Sequence, residues 1–143
     1  MKIFLLKAIT IITVALVTLA LICSCTSVKQ IEYYSQKENY ISTSGTVTHM
    51  SYNKDSTALY LEFDELSHTF DDSCFKIVGE NLKIVQANGI DYKINLGDRI
   101  DFITAPRYFG DGYVMPIVAV SINGESLLDF DEGYENLIIW LSK

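Results

Sequence analysis

Basic charge, cysteine and histidine are all scarce in this chain of 143 residues, and each scarcity excludes something. Lys and Arg number 11 against 18 Asp and Glu, for a net charge of −7. So acidic a chain is repelled by phosphate backbones, which removes nucleic acid from the expected partners. The cysteines are Cys23, Cys25 and Cys74. Two of them close an N-terminal apolar stretch, which leaves Cys74 alone in the body of the chain. No disulfide framework is expected, and stability has to come from a hydrophobic core. Lys76 is the only cation near Cys74 in sequence, so this side chain reads as a small buried hydrophobe rather than a reactive thiol. The two histidines, His49 and His68, form no His-x-His pair, and no Cys-x-x-Cys accompanies them, so no zinc site is expected.

The motifs of catalysis are missing as well. The chain has no Gly-x-Ser-x-Gly elbow to expose a nucleophilic serine, and no Gly-x-x-x-x-Gly-Lys loop to cradle phosphates. The acidic group Glu62, Asp64, Glu65, Asp71 and Asp72 offers the oxygen ligands that calcium prefers, but not at EF-hand spacing. The stretch Asp129-Phe130-Asp131-Glu132-Gly133 lacks the required alternation too. Both read as solvated acidic surface. The expectation is a protein that is not an enzyme and carries no cofactor or metal.

What the chain does have is an export segment. Lys2 and Lys7 are the only early charges, residues 8–22 are uncharged and rich in Ala, Ile, Val and Leu, and small polar residues follow. A charged start, an apolar middle and a small-residue end form a secretion signal, with the two lysines left on the cytoplasmic side and the remainder exported. The closing Ile22-Cys23-Ser24-Cys25 has an aliphatic residue three before Cys25 and a small one just before it. It resembles a lipobox, the site at which bacterial lipoproteins are cleaved and acylated on cysteine. Cys23 in the second position departs from that pattern. The resemblance implies fatty acylation (palmitate or a similar chain) at Cys25 and a lipid anchor on the extracytoplasmic face of the cell membrane. The alternative is an uncleaved anchor helix. A span takes about 20 apolar residues; residues 3–22 reach that length only by including Lys7. Loss of residues 1–24 removes Lys2, Lys7 and no acid, leaving 119 residues with 9 basic and 18 acidic side chains, a net −9. That length suits one domain.

Residues 25–43 are polar and read as a tether, with Ile31, Tyr33, Tyr34 and Tyr40 able to dock parts of it on the domain. Residues 44–143 read as that domain. Gly45 to Tyr52 is a first strand, closed by the turn cluster Asn53-Lys54-Asp55-Ser56. In the second, Leu59, Leu61 and Phe63 point one way and Tyr60 and Glu62 the other. Phe75 to Val78 is a third. Residues 79–89 fit a short helix ended by Asn88-Gly89, or else another strand. Arg99 to Thr104 alternates again, with Ile100 and Phe102 inward. The nearly continuous apolar run Val114 to Ile122 reads as a strand buried on both faces, with Pro116 near its start. Asn123-Gly124 is a turn. In a C-terminal helix, Asp131 can serve as cap, and Tyr134, Leu137, Ile138 and Leu141 share one apolar face.

Three strands, a helix, two strands and a terminal helix is an element order that resembles the oligonucleotide/oligosaccharide-binding (OB) barrel. The expected class is therefore mainly β with helices: a five-stranded OB-like barrel with one inserted helix and a C-terminal helix, after an N-terminal signal or anchor helix. A small sandwich or an open α+β sheet is the alternative. The stretches Gly97-Asp98-Arg99-Ile100-Asp101-Phe102, Ala105-Pro106-Arg107-Tyr108-Phe109-Gly110-Asp111-Gly112-Tyr113 and Met115-Pro116-Ile117 are similar to a group of short, uncharacterised bacterial lipoproteins. That resemblance implies no activity.

Ligands of OB barrels meet the face of strands 2 and 3 and the loops between strands 1–2 and 4–5. Here those loops are Tyr52 to Ser56 and Ala105 to Tyr113. In the second, Arg107, Tyr108, Phe109 and Tyr113 sit among backbone-bending residues. Aromatics stack on sugars or peptide side chains, and Arg pairs with carboxylate or phosphate. The competing reading has Tyr108 and Phe109 closing one end of the barrel as a satellite core, with Arg107 paired to an acid. The expected function is a non-enzymatic, membrane-anchored binding module whose partner is an envelope protein or glycan. The alternative is an assembly subunit of an envelope complex, held by an uncleaved N-terminal helix.

Overall fold

The structure, a computed structural model, describes residues 11–14, 29–70, 74–108 and 113–143. Residues 11–14 are helical, with Ile11, Ile12 and Val14 exposed. The rest of the expected signal, with Cys23 and Cys25, lies outside the described residues. Among the described residues no helix is long and apolar enough to cross a membrane.

The protein is mainly antiparallel sheet with helices. Its strands are β1 (Ile41–Tyr52), β2 (Ala58–Asp64), β3 (Cys74–Val78), β4 (Arg99–Thr104), β5 (Met115–Ile122) and β6 (Glu125–Leu128). Its helices are α1 (residues 29–34), α2 (Gly79–Ala87), α3 (Ile90–Lys93) and α4 (Phe130–Leu141). The long β1 serves two partners: residues 41–46 pair with β4 and residues 46–52 with β2, with a bulge between Val47 and His49. β2 pairs with β3, β4 with β5, and β3 runs parallel to β5 at Phe75–Met115 and Lys76–Pro116. The hydrogen-bonded ring β1-β2-β3-β5-β4 therefore returns to β1. Pro116, second in β5, lends its carbonyl to the buried Thr104 hydroxyl at 2.7 Å.

Alternation decides what the ring encloses. Leu59, Leu61 and Phe63 of β2, Phe75 and Ile77 of β3, and Ile100 and Phe102 of β4 are buried in one inner cluster. Phe63 stacks on Phe102 at 4.6 Å between ring centroids, and Phe75 meets both rings edge-on at 5.4 and 5.0 Å. α2 and α3 add Leu82, Val85 and Ile90 to that cluster. Residues 79–87 are thus a helix rather than a strand, and it ends as its sequence indicates, at Asn88 with Gly89 at φ 86°.

Four expectations need correction. Among the described residues the strands number six: Asn123 and Gly124 both have positive φ and turn the chain directly into β6, whose four residues begin with polar Glu125 and Ser126 and carry too little alternation to be read. β1 begins at Ile41, so residues 41–43 are ladder rather than tether. α4 begins at Phe130 after Asp129, not at an Asp131 cap; Asp131 instead pairs with Lys37 at 2.7 Å. Cys74 is half-buried rather than buried, in the outer layer.

That outer layer is a second cluster. α4 lies across β5 and α2, and its buried Leu137, with half-buried Ile138, Trp140 and Leu141, packs on Ala58, Val78 and Val118 from the outside of the ring. The approach is close because residue 133 is glycine: a Cβ there would lie 1.8 Å from the Val118 carbonyl oxygen. The buried Asn81 amide donates to the Gly133 carbonyl at 2.8 Å and ties α2 to α4. Residues 29–40 complete the layer through Tyr33, Tyr34 and Tyr40.

Candidate ligand-contact surface beside the N-terminal strap

The expected contact loop follows β4. It leaves the sheet at the buried Ala105, and β5 resumes at Met115. Pro106 and Arg107 are exposed, Tyr108 is half-buried against the inner cluster, and Tyr113 is 77% exposed. Tyr108 and Tyr113 meet edge-on at 5.5 Å. Phe109 lies outside the described residues. Of the four expected contact residues, then, Arg107, Tyr108 and Tyr113 come together, and they divide the two competing roles: Tyr108 packs, while Arg107 and Tyr113 face solvent.

Among the described residues Arg107 pairs with no acid. Its guanidinium lies over the Tyr33 ring, 4.7 Å from the centroid, an arrangement that holds the charge in place without neutralising it. The Arg107 carbonyl accepts the Tyr34 hydroxyl at 2.6 Å. Tyr34 is fully buried, and burial drives its hydroxyl far above the ordinary tyrosine value of 10.0; the neighbouring Tyr33 pushes the same way and Arg107 opposes. Tyr40 is raised chiefly by burial and then by Tyr134, and its hydroxyl donates to the Tyr34 carbonyl at 2.8 Å. The polar stretch expected to be a tether is therefore, from residue 29 to 40, a strap bound to the domain. Its signal in the sequence was three tyrosines, at 33, 34 and 40, among polar neighbours.

Two clefts meet at Arg107. One, of about 290 Å³, is lined by Thr69, Phe70, Pro106, Arg107, Tyr108 and Met115. The other, of about 270 Å³, is lined by Lys29, Glu32, Tyr33, Gln36 and Arg107. The second brings residue 29, where the chain comes in from its N-terminal segment, beside the loop. Sequence reasoning had no means of pairing these two regions, 78 positions apart.

The other expected surfaces differ. The outer face of β2 and β3 is partly occupied by the protein itself, since Ala58, Tyr60, Cys74 and Val78 pack in the outer cluster with α4 and the strap. The loop after β1 is closed internally, with the Asn53 side chain accepting from the Thr57 and Ala58 amides at 2.7 and 2.9 Å. His49 lies 3.1 Å from the Ser51 hydroxyl on an exposed face, and His68 is exposed in a loop. Glu62, Asp64 and Glu65 are exposed, while Asp71 and Asp72 lie outside the described residues. Among the described residues no group of three or more His, Cys, Asp or Glu is placed to hold a metal ion.

In comparisons with known proteins, no family model, no curated protein and no solved structure matches the chain.

Proposed function

We propose that the protein is an extracytoplasmic, membrane-anchored lipoprotein, acylated at Cys25, whose domain is an OB-like barrel acting as a non-enzymatic binding module. The ring β1-β2-β3-β5-β4, with α2 and α3 between β3 and β4, supports the barrel reading. The observation that carries the functional reading is Arg107, held over Tyr33 between two clefts, with the exposed Tyr113 edge-on to the adjoining Tyr108. Arg and aromatic groups hold ligands by pairing and stacking, and neither exchanges a proton near neutral pH. The net −9 of the mature chain argues against nucleic acid despite the name of the fold.

Because Tyr108 packs on the inner cluster, the test uses Arg107 and Tyr113. Arg107→Ala with Tyr113→Ala should abolish capture of envelope fragments by the purified protein and leave its thermal melt nearly unchanged. A collapsed melt would make the loop part of the core and sink the reading. The second reading, an assembly subunit on an uncleaved helix, is favoured by α4, where Ile139 is 57% exposed beside a cleft lined by Trp140. Cross-links from the complex that map to residues 131–143 rather than to the loop would select it.

A further inference from the structure

We infer that the partner of the Arg107–Tyr113 surface is the headgroup layer of the bilayer that holds the protein's own anchor. The inference rests on the anchored-module reading and adds the chemistry of what the surface meets. Its first support is reach. Lys29 lines the same cleft as Arg107, and it lies only four positions after Cys25. Even fully extended, four residues span no more than about 14 Å. An anchor at Cys25, or a helix ending there, therefore keeps the Lys29–Arg107 end of the domain within that distance of the membrane surface. The strap prevents the domain from swinging away on a longer leash, because Tyr34 is buried and its hydroxyl binds the Arg107 carbonyl at 2.6 Å.

Composition is the second support. Tyrosine combines an apolar ring with a polar tip and settles at the headgroup level, where Tyr113, 77% exposed and edge-on to Tyr108, would sit. Arg107 and Lys29 present cations to lipid phosphates, and Arg can do so through two parallel hydrogen bonds. Glu32 lines the same cleft and opposes them. The acidic remainder of the domain is repelled by an anionic leaflet, which turns this end toward the surface rather than another. Tyr92 provides the contrast. It is 73% exposed on α3, next to Asp91, which accepts from Tyr52 at the far end of β1 from the strap.

The test uses the full acylated chain in vesicles of phosphatidylethanolamine and phosphatidylglycerol, with lipids brominated near the top of the acyl chain as a contact quencher of indole fluorescence. The parent chain, with Trp140 alone, sets the baseline, and Tyr113→Trp and Tyr92→Trp are read against it. The expected result is flotation of all three chains with the vesicles and several-fold stronger quenching of the added indole at position 113 than at position 92. Adding Arg107→Ala to the Tyr113→Trp chain should reduce that quenching. Flotation with equal quenching at 113 and 92 overturns the headgroup contact and leaves the anchored module standing. Failure of the acylated chain to float overturns both.

Discussion

The inner and outer clusters are built by different means. Inside the ring, Phe63, Phe75 and Phe102 pack with aliphatic side chains and carry no polar atom. Outside it, Tyr33, Tyr34, Tyr40 and Trp140 bring hydroxyls and an indole nitrogen to a layer shared by α4, the strap and the sheet. The inner cluster is held by burial alone, which is non-directional and tolerant of which apolar residue fills the space. The outer cluster depends on directed bonds, such as Tyr34 to the Arg107 carbonyl and Asn81 to the Gly133 carbonyl, and on one position with no room for a side chain. It is the more polar and conditional layer, and it supplies Tyr33 and Tyr34, which hold Arg107 in the candidate site.

The contrast can be broken at several points. Phe102→Ala should do the most damage, since it removes a ring stacked at 4.6 Å and leaves a cavity among Phe63 and Phe75. A loss of about 3–5 kcal/mol in denaturant unfolding is expected; a loss comparable to that of an exposed residue would mean that the inner core is not close-packed. Gly133→Ala comes next. Its better helix propensity would stabilise by about 1 kcal/mol, but the 1.8 Å approach to the Val118 carbonyl decides the sign. The net cost should be about 1–3 kcal/mol, with hydrogen exchange accelerating in α4 while β2 stays protected. Equal acceleration in both would show that the two clusters unfold as one.

Tyr34→Phe keeps the ring and removes the bond to Arg107, so about 1 kcal/mol should be lost in the same unfolding assay. Limited proteolysis should then cut the strap before the sheet.

The pH dependence separates the layers again. Burial raises Tyr34 and Tyr40 above 10.0, so the folded state holds their protons more tightly than the unfolded chain does. Their contribution is complete below pH 10.0 and fades as the pH climbs through the folded values. Alkaline unfolding followed by circular dichroism should therefore show a stability decline beginning near pH 10, and Tyr34→Phe with Tyr40→Phe should flatten it. An unchanged slope would place these hydroxyls in water.

Most of the fold could be read because burial writes a period into the sequence. Leu59, Leu61 and Phe63 alternate, and in the structure all three enter the inner cluster. The run to Ile122 is apolar on both faces because β5 lies between the inner cluster and α4. The helix at 79–87 needed only Leu82, Val85 and the Asn88-Gly89 ending. β6 escaped notice because two outward polar residues and two leucines make no period. The cap at Asp129 was missed because Asp129 and Asp131 are equivalent candidates until helix packing fixes the register, and the Asp129 carboxylate accepts from the Ser126 hydroxyl rather than capping.

The candidate site was legible only in part. An Arg among aromatics in a loop could be singled out as capable of contact, and Arg107 and Tyr113 are exposed as that role requires. What Arg107 rests on could not be known. Tyr33 stands 74 positions away, and no local preference links a polar N-terminal stretch to a loop after β4. Sequence by itself determined the alternation of the strands, the turns and the apolar stripe of α4, because these follow from backbone geometry and from which side chains water rejects. Only the tertiary structure decided that the strap closes on the loop, that α4 lies across β5 and α2, and that Arg107 stays solvent-facing between two clefts. Those outcomes depend on contacts between distant segments, whose energies appear only once the ring has brought the segments together.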